Sequence, residues 1–338
     1  MTFPASIREA SSPSPLLSVE DLTVRVGPEP DAPALIENVS LSIAPGETLG
    51  LVGESGSGKT TTGMAIMRLL PQALDRGMHG RILYQGDDVA AMDAKQLSGV
   101  RGGEISMILQ DPMASLNPVF SIGSQLKEGL RRHATGEGSL HERAVRALDD
   151  VRIPSPEARL ANFPHQMSGG MRQRVVGAIS LARAPKLLIA DEPTTSLDVT
   201  IQYQFLELLK ALQQRLGMAM LFITHDFGVV ARMCDRVAVM YAGQIVEEGP
   251  VRDIFRRPAH WYTRALLDSV PTVNSSLERL PTIPGSPPHV GARPQGCRFH
   301  PRCANAQARC QEPPPITGAG TGRAVRCWFP LDSERTIA

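Results

Sequence analysis

The run GESGSGKT, Gly53 to Thr60, constrains this chain more than any other stretch. It follows the apolar segment ETLGLV, residues 47–52, and opens a helical pattern from Lys59 to about Leu70. Strand, glycine-rich turn and helix in that order aim backbone N–H groups and a helix N-terminus at one point, which suits phosphate oxygens. The binding run reads Gly53, Glu54, Ser55, Gly56, Ser57, Gly58, Lys59, Thr60 and Thr61. Lys59 is expected on the β- and γ-phosphates of a nucleoside triphosphate, and the Thr60 hydroxyl on its magnesium ion. A second apolar strand, LLIADEP at 187–193, ends in two carboxylates. Asp191 is placed to hold Mg²⁺ through water, and Glu192, one residue on, to polarise the water that attacks the γ-phosphate.

The remaining pattern predicts an α/β fold. Two strand-like runs lie between Leu16 and Ile43, with Leu22, Val24 and Val26 alternating as on a half-buried strand. EISMILQ (104–110), MAMLFITH (218–225), DRVAVMYAG (235–243) and QIVEEG (244–249) read as further strands. Helical patterns separate them, including a charged helical insert at about 121–163 and a helix from about Thr200 to Leu216. Such alternation implies a mainly parallel sheet covered on both faces. Residues 1–15, rich in Ser and Pro, read as a disordered leader, and the six prolines from Pro271 to Pro294 read as a linker or an extended segment.

Composition excludes some functions. With 35 Lys+Arg against 34 Asp+Glu and 4% aromatic residues, nothing favours nucleic acid as a partner. No apolar run approaches the ~18–20 residues of a membrane span, and no signal peptide is seen, so a cytosolic or membrane-peripheral protein is expected.

A third motif is harder to place alone. FPHQMSGGMRQRV, 163–175, puts Ser168, Gly169 and Gly170 at the start of a helix, exposing backbone amides a hundred residues after the phosphate loop. By itself this could be a serine N-cap with a flexible glycine pair. Yet the phosphate loop, Gln110, MSGGM, LLIADEP, TSLD and FITH stand in the order found in ATP-binding cassette (ABC) ATPases, which residues 16–250 resemble.

The resemblance implies a P-loop cassette with a mainly parallel sheet core, an antiparallel β part and a helical subdomain at about 111–168. It also implies roles for single residues. Gln110 would touch Mg²⁺ and sense the membrane partner; Ser168, Gly169 and Gly170 would form the signature loop; Asp198 would belong to the D-loop; His225 would sit near the γ-phosphate. In such proteins two cassettes pack head to tail, and each signature loop covers the γ-phosphate held by the other. An aromatic from the first strand usually stacks on adenine; here that position is expected to hold Val26, an aliphatic.

Finer details resemble the ATPase subunits of oligopeptide, dipeptide and nickel importers. These are Met171 in the signature, QDPMASLNP after Gln110, and RRPAHWYTRALL (256–267), which is similar to their HPYT box with Trp261 in the proline place. The expectation is a cassette at 16–258 and an importer-type extension at 259–338. Its expected partners are a second cassette subunit in a heterodimer, two permeases and an extracytoplasmic solute-binding protein, at the cytoplasmic face of the inner membrane. Peptides are the expected cargo, with nickel or another solute as the alternative. A non-transport cassette is disfavoured, since no long heptad insert and no second phosphate loop is present.

Four of five cysteines, Cys297, Cys303, Cys310 and Cys327, crowd near the C-terminus. Their spacing fits neither the paired zinc pattern nor the ferredoxin run. Arg298, Arg302, Arg309 and Arg326 adjoin them in sequence and are expected to favour thiolates. The resembled importers carry a similar set, in several cases on a 4Fe-4S cluster, which is the expected cofactor here, with structural zinc as the alternative.

Overall fold

The computed structural model describes residues 14–131, 138–195, 197–270, 282–319 and 322–332. Nearly all of the expected leader, residues 1–13, and the first part of the proline-rich stretch, 271–281, lie outside them.

Among the described residues the strands form two sheets. The smaller is antiparallel and runs β2-β1-β4-β5, from β1 (Leu17–Arg25), β2 (Ala34–Ile43), β4 (Met78–Tyr84) and β5 (Asp87–Asp88). The larger has eight strands in the order β11 (Ile316–Gly318), β12 (Ala324–Arg326), β10 (Gln244–Pro250), then β9, β3, β8, β7 and β6, whose ranges follow. Its centre is parallel: β3 (Thr48–Val52) lies between β8 (Ala219–Thr224) and β9 (Arg236–Tyr241), followed by β7 (Leu187–Asp191) and β6 (Ile105–Ile108). Every residue of β3, β7 and β8 is buried, as their unbroken apolar runs require of strands covered on both faces. Each fully buried Leu in this core, such as Leu49 or Leu188, contributes about 1.5–3 kcal/mol over its exposed state.

The crossover helices follow the strands. α1 (Lys59–Ile66) leaves β3; α2 (Gln72–Asp75) and α3 (Ala94–Val100) flank the antiparallel sheet's later strands. After β6 come α4 (Pro112–Ser115), α5 (Ile122–Arg131), α6 (Leu140–Asp150) and α7 (Pro156–Arg159), the helical insert expected from sequence. α8 (Gly169–Leu181) returns to the sheet; α9 (Val199–Leu216) and α10 (Phe227–Met233) complete its cover. One core joins the antiparallel sheet to one face of β3, β7 and β8, and a second packs the insert, α8 and α9 against the other face. No helix among the described residues is long and apolar enough to cross a membrane.

The C-terminal part is built onto the same sheet. After β10 (Gln244–Pro250) come α11 (Val251–Arg256) and α12 (Trp261–Asp268). Farther on, β11 (Ile316–Gly318) pairs with β12 (Ala324–Arg326), which adds antiparallel to β10 through Glu247↔Val325. A third core fixes this part: Phe299 is buried against Tyr241 and Tyr262, with ring centroids 5.3 Å from each. Buried Glu247 accepts hydrogen bonds from the N–H groups of Ala259 (2.7 Å) and His260 (2.9 Å) and from Arg323 (3.2 Å). This part is thus anchored by an aromatic cluster and a strand pairing.

Candidate active site

The turn from β3 into α1 wraps a cleft of about 730 Å³, lined by the phosphate-loop residues together with Leu35, Gln110, Glu192, His225, Leu266 and Val290, among others. Two glycines are required by the close approach of other chain segments. A side chain at Gly53 (φ +154°) would run into the carbonyl oxygen of Met240, and one at Gly58 (φ +106°) would lie 2.5 Å from Ile36 Cγ2. Lys59 is buried, its Nζ donating to the carbonyls of Gly53 (2.8 Å) and Glu54 (3.0 Å). Burial pulls its pKa below the ordinary value, opposed by the carboxylates of Glu192, Asp191 and Glu54. Ser57 Oγ is buried with no hydrogen-bond partner among the described groups, a polar atom suited to an incoming phosphate.

The carboxylates converge from β7. Thr60 Oγ1 donates to Asp191 Oδ1 at 3.1 Å, joining the two residues expected to hold magnesium. Burial pushes the Asp191 carboxyl above its ordinary pKa, against the Thr60 hydrogen bond and Lys59. The Asp191 carboxyl and the Thr60 hydroxyl beside it offer oxygen donors of the kind Mg²⁺ takes, which fits the ion entering with its nucleotide. Glu192 sits just past the strand with φ +44°, a left-handed conformation costing a non-glycine residue about 1–3 kcal/mol. Its N–H donates to Ile223 O at 2.9 Å, which fixes that turn. The side chain gathers three partners: Gln110 Nε2 at 3.1 Å and Thr195 Oγ1 at 2.9 Å on Oε2, and His225 Nδ1 at 3.2 Å from Oε1. Gln110, Asp191, Glu192 and His225, spread over 116 positions, thus meet at one mouth of the sheet. Thr195 was not singled out from sequence, although it lies in the TSLD stretch.

Other expected site residues stand elsewhere. Ser168 caps α8, its Oγ accepting from Met171 N–H at 3.4 Å, and Asp198 caps α9 through Ile201 N–H at 3.0 Å. A Cβ at Gly170 would lie 2.7 Å from Ile201 Cγ2, so these two helix starts touch each other. None of Ser168, Gly169, Gly170 and Asp198 lines the cleft. Val26 departs from expectation as well. It is 51% exposed, lies just beyond the end of β1, and does not line the cleft; Leu35 on β2 does.

The cysteines come near one another without forming a metal site. Cys297, Cys303, Cys310 and Cys327 line one small cavity beside Phe299 and Trp328. Among the described residues, however, no three His, Cys, Asp or Glu side chains are grouped closely enough to hold a metal ion, so the expected cluster site is not formed in this arrangement. Nor do the arginines beside them in sequence promote thiolates. Arg298 bonds Ala242 O and Glu37, Arg302 pairs with Glu54, Arg309 stacks on the Trp328 ring at 3.7 Å, and Arg326 bonds Ile245 O. Burial dominates instead, raising Cys297 and Cys303 above the usual thiol range and pushing Cys327 up to about 11.

With this geometry in view, the comparisons agree. Residues 36–195 match the ABC transporter family, and residues 246–310 match the family described as oligopeptide/dipeptide transporter, C-terminal region. The chain belongs to the ATP-binding cassette ATPases. Within them, it is 48% identical over 325 residues to a putative peptide import ATP-binding protein of Brucella melitensis, covering 96% of this chain and 98% of that one. It is 48% identical over 317 residues to the oligopeptide transport ATP-binding protein OppD of Bacillus subtilis, covering 93% and 88%. Among solved structures, the dimeric cassette MJ0796 in a post-hydrolysis state with ADP and Pi superposes with a TM-score of 0.61 at 26% identity, over 70% of this chain and 99% of that one.

Proposed function

We propose that this chain is the ATP-hydrolysing subunit of an importer of di- or oligopeptides, working with two permeases and an extracytoplasmic solute-binding protein at the cytoplasmic face of the inner membrane. The observation that carries this is the meeting of Lys59, the Thr60–Asp191 pair and the Gln110–Glu192–His225 group on one cleft, in a chain whose C-terminal part matches the peptide-transporter family. Similarity to peptide import proteins favours peptides over nickel.

In this reading residues 16–258 are the nucleotide-binding cassette and 259–338 the importer extension. MgATP enters the cleft; the phosphate-loop amides and Lys59 take the phosphates, while Thr60 and Asp191 hold the magnesium side. Glu192 accepts a proton from the attacking water, with Gln110 and His225 fixing its two oxygens. Leu109, Val119 and Phe120, exposed around the Gln110 loop, offer an apolar surface to a permease.

The signature loop is read as half of a composite site. Support comes from the lining of its own cleft, which does not include Ser168, Gly169 or Gly170, and from Ser168 at the N-terminus of the thirteen-residue α8, a place suited to an anion. The second cassette is expected to be a related but different subunit. Ser168→Arg is therefore expected to impair nucleotide binding at the partner's phosphate loop and to spare binding at this one. Complexes in which one subunit at a time carries a disabled phosphate loop measure the two separately; loss confined to this subunit's own nucleotide contradicts the composite site.

For the extension we propose that the four cysteines, which are not grouped closely enough to hold a metal in the arrangement described, draw together around a 4Fe-4S cluster when one is supplied, with structural zinc as the alternative; what supports this is their place around one cavity. Protein purified anaerobically from iron-replete cells is then brown, with about four irons per chain, whereas zinc gives a colourless protein with one metal. A colourless, metal-free preparation with full transport activity removes both. Single Cys→Ser changes are expected to loosen residues from about 290 onward.

A further inference from the structure

The phosphate loop is gripped from the C-terminal part of the chain. Glu54, its second residue, donates its backbone N–H to Tyr262 Oη of α12 at 2.9 Å. Arg302 lies in the short 3-10 turn His300–Arg302, between Cys297 and Cys303. It sets a guanidinium fork on the Glu54 carboxylate, Nη1 to Oε2 at 2.7 Å and Nη2 to Oε1 at 3.1 Å. The rest of the guanidinium is also engaged: Nε donates to Pro284 O at 2.8 Å, Nη2 to Gly285 O at 3.4 Å, and Nη1 to Tyr241 Oη at 3.3 Å. The Arg302 side chain is only 6% exposed, so its place is fixed before any ligand arrives. Two further arginines of this segment hold the cleft's rim: Arg293 donates to the carbonyls of Ala34 and Leu35, and Arg298 to Ala242 O and the Glu37 carboxylate.

A carboxylate within a phosphate-binding loop is a poor choice unless something neutralises it. Glu54 carries a negative charge close to where a triphosphate must lie, and it is one of the carboxylates acting on the Lys59 ammonium. Left unpaired it would repel the nucleotide and compete for Lys59. A bidentate arginine cancels the charge and fixes the side chain in one geometry.

We infer that Arg302 is a positioning residue for the nucleotide: by neutralising and orienting Glu54 it makes the phosphate loop receptive to MgATP, and it ties the loop's affinity to the fold of the cysteine-bearing segment. This rests on the cleft being the MgATP site. The alternative is that Arg302 merely packs the C-terminal segment onto the cassette. The two differ in what happens when Glu54 loses its charge. If Arg302 neutralises Glu54, removing the carboxylate makes the arginine dispensable; if it only packs, removing the carboxylate repairs nothing.

The test is calorimetric titration of MgATP into the full chain as wild type, Arg302→Ala, Glu54→Gln, the double variant and Arg302→Lys. Arg302→Ala is expected to weaken binding about tenfold, the size of one partly shielded charge pair. The double variant is expected to return to within about threefold of wild type, a coupling that independent sites do not show. Arg302→Lys, which keeps the charge and loses the fork, falls between. Should Arg302→Ala fail to fold, Arg302→Gln carries the same comparison. Wild-type affinity in Arg302→Ala, or a double variant as weak as Arg302→Ala, overturns the inference. A wild-type chain that does not bind MgATP overturns instead the reading of the cleft itself.

Discussion

Glu192→Gln is expected to stop turnover while MgATP still binds. The substitution keeps size and shape, and an amide oxygen can still accept from Gln110 or Thr195, but it cannot take a proton from water. A positioned general base contributes about 10²–10⁴-fold, so phosphate release should fall by at least two orders of magnitude. Nucleotide affinity should change little, because the groups suited to the phosphates, Lys59 and the loop amides, are untouched. Trapped nucleotide should accumulate in the closed cassette pair. The check is steady-state phosphate release beside retained ATP in the assembled transporter. Wild-type release by the variant would remove Glu192 from the chemistry.

Lys59→Ala acts one step earlier. Its ammonium is buried between the Gly53 and Glu54 carbonyls, with Asp191, Glu192 and Glu54 as the surrounding carboxylates. Without it an entering triphosphate meets an excess of negative charge in a poorly solvated pocket. Truncating one partner of such a pair costs about 2–5 kcal/mol, which is roughly 30-fold to several thousand-fold in affinity. Calorimetry on the isolated chain reads this directly, and affinity within about twofold of wild type would exclude Lys59 from the phosphate site. The two variants separate binding from chemistry: Lys59→Ala loses both, Glu192→Gln the second alone.

The parts legible in the sequence were those encoded over short stretches. Short apolar runs such as LLIAD, bounded by turn residues, read as buried strands, and each delivers its next polar residue to the same end of a parallel sheet. That is why Asp191, Glu192 and His225 could be placed together before any coordinates. The helical insert followed from its charged periodicity in the same way. What escaped depends on where the chain bends or on partners far apart. Val26 was expected to face the base because the resembled cassettes place an aromatic at that point of the first strand; here the strand ends at Arg25 and Val26 follows it, half exposed. The arginines beside the cysteines were read as neighbours because they are adjacent in sequence, yet each side chain reaches a different partner. Arg302 meets Glu54 across 248 positions, a contact no local pattern records. Strands of three residues, β11 and β12, carry too little periodicity to be seen, although they tie the extension to the cassette sheet.

The central claim is that this chain converts ATP hydrolysis into peptide uptake, and reconstitution tests it most directly. The chain, its partner cassette, the two permeases and the solute-binding protein are placed in liposomes whose cassettes face an outer solution supplied with MgATP, with labelled di- and oligopeptides enclosed beside the binding protein. The account predicts peptide movement to the cassette side that depends on MgATP and stops with Glu192→Gln. ATP hydrolysis that persists while no peptide moves, or peptide movement unchanged by Glu192→Gln, would contradict it.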